Sequence, residues 1–92
     1  MIIIGEKLNG SIPSVGKAIV EKNEARIRDL ARRQDAAGAD YLDVCASVEE
    51  SIEVETLEWM IGLVQEESDL PICLDSPSPR TLVSALPFCK KP

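Results

Sequence analysis

Apolar residues along the chain form three short runs that predict β-strands. Ile2-Ile3-Ile4 is a β-branched run ended by Gly5, and it predicts a first, fully buried strand. Tyr41-Leu42-Asp43-Val44-Cys45 predicts a second strand. The run from Leu70 to Leu74 predicts a third, and Asp75 closes it immediately before a Ser-Pro pair. An acid at that point lies where a strand is expected to give way to a loop.

Longer amphipathic stretches between these runs predict helices. Ser14 is expected to cap a short helix, and Asn23 a longer one that Gly38 ends in a left-handed turn. The clearest helix is predicted from about Val54, and Ser78-Pro79 supplies a cap and a first-turn proline for the last one. The apolar stripe of the clearest helix comprises Leu57, Met60, Ile61 and Val64. Its opposite face carries Glu53, Glu55, Glu58, Glu66 and Glu67.

The order of these elements is β-α-β-α-β-α, which implies a parallel sheet with helical crossovers. The polar segments 6–13 and 47–51 predict loops. Strand starts near residues 2, 40 and 71 give units the size of the strand–helix repeat in a (β/α)₈ TIM barrel. A complete barrel needs about 250 residues. The 92 residues are therefore expected to form an α/β portion of an incomplete barrel.

Composition narrows the classes of partner. The net charge is −6 and the Lys and Arg residues are scattered among acids, which argues against a nucleic-acid-binding face. The three cysteines form no CxxC pair and histidine is absent, so neither a disulfide framework nor a zinc site is predicted. The start of the chain lacks a basic leader, and its apolar run is too short to span a membrane. We expect a cytoplasmic protein with no membrane partner.

One acidic side chain lies in the second predicted strand and another directly follows the third, near the carboxyl ends where ligands bind in sheet-and-helix proteins. Because side chains alternate along a strand, Asp43 shares a face with Cys45, and Asp75 shares one with Cys73. Glu6, just after the first predicted strand, is expected at the same end. The alternate positions, Leu42, Val44, Ile72 and Leu74, are expected to pack against the helices.

Plainer interpretations of these residues stay open at this point. An aspartate at a strand end often forms a turn or caps a helix, and Asp75 could cap the helix beginning near Pro79. Paired acids could also bind Mg²⁺, but supporting oxygens or histidines are lacking, so no metal site is predicted. Cys45 and Cys73 are expected to be small buried apolar residues.

Four segments resemble one known family. Residues 2–10, IIIGEKLNG, resemble the opening "IIGE[KR]-N-G" of the methyltetrahydrofolate:corrinoid methyltransferases, part of the pterin-binding family that includes dihydropteroate synthase. Residues 33–44 resemble its "RQ..GA..LD[LV]" segment, 59–66 its "EWL…VQE" helix, and 74–77 its "[LI]DS" strand end. The match spans essentially the whole chain. It implies that residues 1–92 are the N-terminal third of a pterin-binding TIM-barrel domain.

The resemblance also implies a site at the barrel mouth. The acid corresponding to Asp75 accepts hydrogen bonds from the amide-like edge of the pterin, which presents adjacent N–H donors to one carboxylate. Cys45 stands where many relatives have Asn, which removes an amide donor and acceptor near the pterin. The pterin- or folate-binding residues implied are Asp75, Asp43, Asn9, Glu6, Ser76 and Cys45. No catalytic residue is assigned within the chain.

The reaction implied is transfer of the N5-methyl group between methyltetrahydrofolate and cobalamin carried by a separate corrinoid protein. The folate, as methyltetrahydrofolate or tetrahydrofolate, is then a substrate, and the corrinoid protein is the partner. The N5 nitrogen must gain proton character for the methyl group to leave. Polar residues of later strands are thought to supply that hydrogen-bonding network.

Two alternatives accompany this interpretation. A dihydropteroate synthase-like enzyme would need a glycine-rich diphosphate-binding segment after the second strand, where residues 45–50 instead carry acids that would repel phosphate. The other alternative is a non-catalytic truncated fragment, which would self-associate through open sheet edges or pair with a chain supplying the missing strands. The 92 residues alone are expected neither to close a barrel nor to turn over methyltetrahydrofolate.

Overall fold

The computed structural model describes residues 2–89, and strands and helices alternate along them as the sequence predicts. Val20 ends one short helix and Asn23 caps the next, so two helices connect the first two strands. The elements are β1 (Ile4–Asn9), α1 (Pro13–Val20), α2 (Glu24–Ala36), β2 (Tyr41–Cys45), α3 (Glu50–Glu67), β3 (Ile72–Leu74) and α4 (Pro79–Ala85), with a final 3₁₀ turn at Leu86–Phe88.

The three strands form one parallel sheet in the order β1-β2-β3. Helices connect successive strands, as parallel pairing requires. The expected α/β architecture, three parallel strands in an open sheet, is therefore confirmed for residues 2–89. Within the same residues no helix combines the length and the apolar character needed to cross a membrane.

The first strand lies later in the chain than its apolar run predicts. It begins at Ile4, which pairs with Tyr41, and continues to Asn9, so the first part of the predicted loop 6–13 is strand. Ile2, Ile3 and Ile4 were expected to be buried but are 69%, 48% and 45% exposed. The prediction was wrong because pairing with β2 sets where the strand starts, and Ile3 precedes it, accepting from the backbone N–H groups of Asp40 and Tyr41.

A β-bulge interrupts β1. Gly5 pairs with Leu42 and Leu8 pairs with Val44, so β1 advances three residues while β2 advances two. The bulge adds one residue opposite Asp43, and it returns Leu8, which is fully buried, to the same face as Val44.

Helix ends follow the predicted signals at three of four positions. Asn23 accepts a hydrogen bond from the backbone N–H of Arg26 at 3.2 Å and caps α2. Gly38, with φ of 95°, turns the chain just after that helix. Ser78 caps α4. Ser14 does not cap α1, because Pro13 already occupies the first helical position and Ile12 is the flanking residue.

The third helix begins earlier and the third strand later than predicted. α3 starts at Glu50, inside the segment 47–51 that predicted a loop, because the acids Glu50 and Glu53 suit the first turn of a helix. β3 comprises only Ile72–Leu74.

The core lies between the sheet and the helices. Leu42 and Val44 are fully buried, and Ile72 and Leu74 are partly buried against the same cluster, as the alternation of side chains predicted. The predicted stripe of α3 faces this core, and its four members are fully buried: Leu57, Met60, Ile61 and Val64.

An ion-pair network joins α2 to α3 at the opposite end from the predicted site. Arg28 contacts Glu66 at 2.6 Å and Glu67 at 2.8 Å, and Arg32 contacts Glu67 at 2.8 Å. These contacts lower the pKa of Glu67, through hydrogen bonds from Arg28 and then Arg32. The hydrogen bond with Glu67, followed by that with Glu66, raises the pKa of Arg28. The network links the two long helices at this end.

Candidate functional site

Asp43 and Asp75 lie on neighbouring parallel strands at the carboxyl end of the sheet. Asp43 pairs with Cys73 in the register of β2 and β3, and Asp75 follows β3 directly. The backbone N–H of Asp75 donates to the carbonyl oxygen of Val44 at 3.0 Å, so the inter-strand bonding continues one residue past β3. This bond holds Asp75 at the edge where β2 ends.

Two other carboxylates at this end act on Asp43. Partial burial raises the pKa of Asp43, and the charges of Asp75 and then Glu6 raise it further. Such charge effects act over short distances, because water and salt screen them beyond about 10 Å. Side chains from all three strands therefore contribute negative charge to one region, where each carboxylate makes ionisation of Asp43 less favourable. We call Glu6, Asp43 and Asp75 the acidic cluster.

Cys45 ends β2 beside the acidic cluster. It is half-buried, as is Cys73, so the expectation that both are buried apolar residues was wrong: this row of the sheet lies opposite the helices. Burial raises the pKa of the Cys45 thiol, and the charge of Asp75 raises it further, while a hydrogen bond with the backbone of Ser47 opposes the shift. The side chain is therefore a protonated thiol near neutral pH and a poor nucleophile.

Asn9 lies at the end of β1, paired in register with Cys45. Its Oδ1 accepts hydrogen bonds from the backbone N–H and the hydroxyl of Ser11, at 2.9 and 2.8 Å. The backbone N–H of Gly10 donates to the carbonyl oxygen of Cys45 at 2.9 Å, which ties this turn to β2. Because Oδ1 already accepts these two hydrogen bonds, a ligand would contact the amide nitrogen of Asn9, which is a donor.

Ser76 and Asp75 lie in the turn between β3 and α4. The Oγ of Ser76 accepts from the backbone N–H of Ser78 at 3.1 Å, and Ser78 in turn caps α4 by accepting from Thr81. The alternative in which Asp75 caps this helix is therefore wrong. Asp75 is exposed, and Ser78 is the residue that caps α4.

Glu53 is a buried acid, although the sequence predicted it on the face of α3 opposite the apolar stripe. It is only 2% exposed, one helical turn before Leu57 in the apolar stripe. After burial and the charges of Asp75 and Asp43, the charge of Glu53 adds to the raised pKa of Cys45. The spacing was a usable signal, because residues four apart share one face of a helix.

A concavity of about 470 Å³ along β1 is lined in part by Glu6 but by neither Asp43 nor Asp75. A groove of about 410 Å³ lies along β1, α1 and α2 and is lined by residues that include Lys7, Leu30 and Gln34, and by none of the six predicted site residues. We place the candidate site at the strand ends nonetheless, because that is where polar groups from three strands converge. Among residues 2–89, no group of three or more acidic or thiol side chains is arranged to hold a metal ion.

Comparison with known proteins gives an informative relative. No family model matches the chain. A methylcorrinoid:tetrahydrofolate methyltransferase from Eubacterium limosum is 59% identical over all 92 residues. The chain spans 34% of that relative's length, about a third. Over its whole length the chain is thus similar to a methylcorrinoid:tetrahydrofolate methyltransferase, which confirms the resemblance drawn from its four sequence motifs.

Proposed function

We propose that the chain is the folate-binding N-terminal part, residues 1–92, of an enzyme that moves the N5-methyl group between methyltetrahydrofolate and a corrinoid protein in the cytoplasm. The relative's name supports this class of reaction, and identity of 59% over every residue of the chain makes a shared role reasonable. Because the chain spans a third of that relative, the proposed activity needs further strands of a (β/α)₈ barrel.

The observation that carries the proposal is the nearness of Asp43, on β2, to Asp75, which directly follows β3 at the carboxyl end of the sheet. The pterin ring of a folate presents adjacent N–H donors along one edge. A carboxylate accepts two such donors in parallel, and charge-assisted bonds of this kind fix orientation as well as affinity. In this proposal Asp75 is the main acceptor, and Asp43 lines the same mouth.

The remaining residues of the proposed site surround this pair. Asn9 supplies an amide donor, since its Oδ1 is occupied by Ser11. Glu6 adds negative charge near Asp43, which favours a ligand edge rich in donors. Cys45 contributes a neutral surface, and Ser76 shapes the turn that carries Asp75.

The residues of this chain bind and orient the folate but do not complete the chemistry. Bound corrinoid on the partner protein would supply the methyl acceptor or donor. Burial, and then the charges of Asp75 and Glu6, raise the pKa of Asp43, so these groups make its ionised form less favourable. Proton delivery to N5 is assigned to polar groups of later strands, outside these residues.

The proposal is tested by titrating tetrahydrofolate and methyltetrahydrofolate into the protein at the full length in which the cell makes it. Asp75→Asn removes the charge and one acceptor, and we expect Kd to rise about 10- to 100-fold. Glu55→Gln, a loss of the same charge at an exposed position of α3, is the matched control and should leave Kd unchanged. Equal affinity of the Asp75 variant and the parent would overturn the proposed site.

A second candidate function is association through the open edges of the sheet. Three exposed apolar side chains lie just before and at the start of β1: Ile2, Ile3 and Ile4. In the described sheet β1 and β3 each pair with β2 alone. Unpaired strand edges are templates for further strands. A second copy, or the strands that complete a barrel, would cover these edges.

A further inference from the structure

We propose that Gln34 is a positioning residue for the folate site: it holds the β1 bulge that places Asn9 at the barrel mouth. The link to folate rests on the proposed function, but the positioning itself rests on geometry. Gln34 is on α2, it is 8% exposed, and its side chain reaches across to β1.

The bulge decides which side chain of β1 stands beside Cys45. In the observed register Leu8 pairs with Val44, and Asn9 pairs with Cys45. Without the extra residue, the pairing of Gly5 with Leu42 would continue in step and bring Leu8 opposite Cys45. Side chains alternate along a strand, so Leu8 would leave the core and Asn9 would pass to the other face.

A bulge needs a partner for the backbone group that it takes out of the ladder. The backbone N–H of Lys7, in the bulge, donates to Oε1 of Gln34 at 2.9 Å. The other end of the amide, Nε2, donates to the carbonyl oxygen of Leu30 at 3.3 Å. The side-chain oxygen of Gln34 therefore takes the place of a backbone acceptor on a neighbouring strand. Its amide nitrogen holds the side chain against α2.

Gly5 provides the space for this contact. A Cβ atom at this position would lie 2.5 Å from Oε1 of Gln34 and 2.9 Å from its Cδ. The amide of Gln34 would have to shift to make room for such an atom, so the observed contact with β1 is made over a glycine. The contact thus depends on two residues that lie 29 positions apart in the sequence.

The test uses Gln34→Met and Gln34→Glu in the full-length protein. Methionine has a similar length but accepts hydrogen bonds only weakly, whereas glutamate keeps an oxygen acceptor for Lys7. We expect the methionine variant to exchange the Lys7 amide proton about tenfold faster, the ratio expected for one lost hydrogen bond. We also expect it to lose the nuclear Overhauser contact between Asn9 and Cys45 and to bind tetrahydrofolate about tenfold more weakly. The glutamate variant should partly restore the slow exchange of the Lys7 amide, the Asn9–Cys45 contact and the affinity for tetrahydrofolate.

A core control separates positioning from general loss of stability. Ile61→Val shortens a fully buried side chain of α3 and should lower the melting temperature without changing the Asn9–Cys45 contact or Kd. Wild-type exchange and an intact Asn9–Cys45 contact in Gln34→Met would overturn the inference, and so would unchanged tetrahydrofolate affinity in that variant. If the parent binds no folate, the proposed function fails, whereas the exchange and Overhauser measurements still decide whether Gln34 positions Asn9.

Discussion

Burial raises the pKa of Asp43, and the charge of Asp75, next to it across two parallel strands, raises it further. The backbone N–H of Asp75 also bonds to the residue that follows Asp43, so the arrangement is held by the sheet itself. Two like charges kept close in this way destabilise the folded protein. Such unfavourable arrangements occur at binding sites, where a ligand with matching hydrogen-bond donors can offset the repulsion.

The pKa of Asp43 predicts a pH dependence of stability. Since its pKa is raised above the ordinary value of 3.8, the folded state holds more protons than the unfolded state just above that pH. Stability contributed by this group is therefore lost as pH rises from about 3.8 through the raised value. Asn cannot ionise, so Asp43→Asn should raise the melting temperature at pH 7, and the gain should shrink as pH falls toward 3.8.

Thermal melts of the parent and the Asp43 variant across this pH range check the prediction. Glu55→Gln serves as a control for loss of one negative charge from an acidic protein. A melting temperature that falls at pH 7 in the Asp43 variant would contradict the direction.

The contact between Gly5 and Gln34 predicts non-additive stability. Gly5→Ala should cost about 1–3 kcal/mol, because the new methyl group overpacks against the amide of Gln34. In a Gln34→Ala background the nearest remaining atom is the Cβ of residue 34, 3.2 Å away in the present geometry. Gly5→Ala should therefore cost less in the Gln34→Ala background than in the parent. We expect a coupling of about 1 kcal/mol in a double-mutant cycle.

Chemical denaturation of the four proteins in this cycle measures the coupling. Gly62→Ala is the matched control: nothing lies within 4 Å of its added Cβ, and it sits inside α3. That substitution should stabilise the protein by about 0.5–1 kcal/mol. If the changes in the free energy of unfolding at residues 5 and 34 are additive, the predicted steric contact is wrong.

The ion pairs between α2 and α3 predict a salt-sensitive contribution to stability. Hydrogen bonds from Arg28 and Arg32 lower the pKa of Glu67, so its stabilising effect is present above the ordinary value of 4.5 and is lost as pH falls through the lowered one. Glu67→Gln should lower the melting temperature at pH 7 in dilute buffer, and by less in about 1 M salt, where screening acts within about 3 Å.

Scanning calorimetry of Glu67→Gln at both ionic strengths measures this difference. Glu58→Gln removes the same charge from an exposed position of the same helix and is expected to change the melting temperature little. An equal loss at both salt concentrations would indicate packing rather than charge.

The open edge of β1 predicts association of the 92-residue chain when it is produced alone. Ile3→Lys puts a charge beside the edge, where it should oppose pairing with a further strand. We expect sedimentation velocity to show a smaller associated fraction for this variant. Val20→Lys, which charges an even more exposed apolar position on α1, 79% against 48%, should have less effect. Equal effects of the two variants would point to nonspecific hydrophobic contact.

Local signals were sufficient for much of the fold. The sequence predicted Tyr41–Cys45 as a strand with the bounds observed, and it identified Asn23 and Ser78 as caps. These features depend on neighbouring residues: alternation along a strand, or a side-chain oxygen within three residues of a backbone donor. Both can be evaluated without knowing the tertiary structure.

Features that depend on distant partners were missed. β1 starts at Ile4 because Tyr41 is there to pair with it, and it stays extended through polar residues because Gln34 completes its bulge. No local rule distinguishes the apolar run before this strand from the strand itself. Of the site, the nearness of Asp43 and Asp75 was predicted from topology, whereas the roles of the six residues in binding stay predictions.

Amino-acid substitutions on the two faces of β2 have different consequences during evolution. Leu42 and Val44 are fully enclosed, while Tyr41, Asp43 and Cys45 stand on the opposite, half-open row. Mutations that alter what the protein recognises can thus accumulate on one row while the other keeps the chain folded. A lineage could exchange Cys45 for another polar or apolar residue and test a new ligand without first sacrificing its architecture.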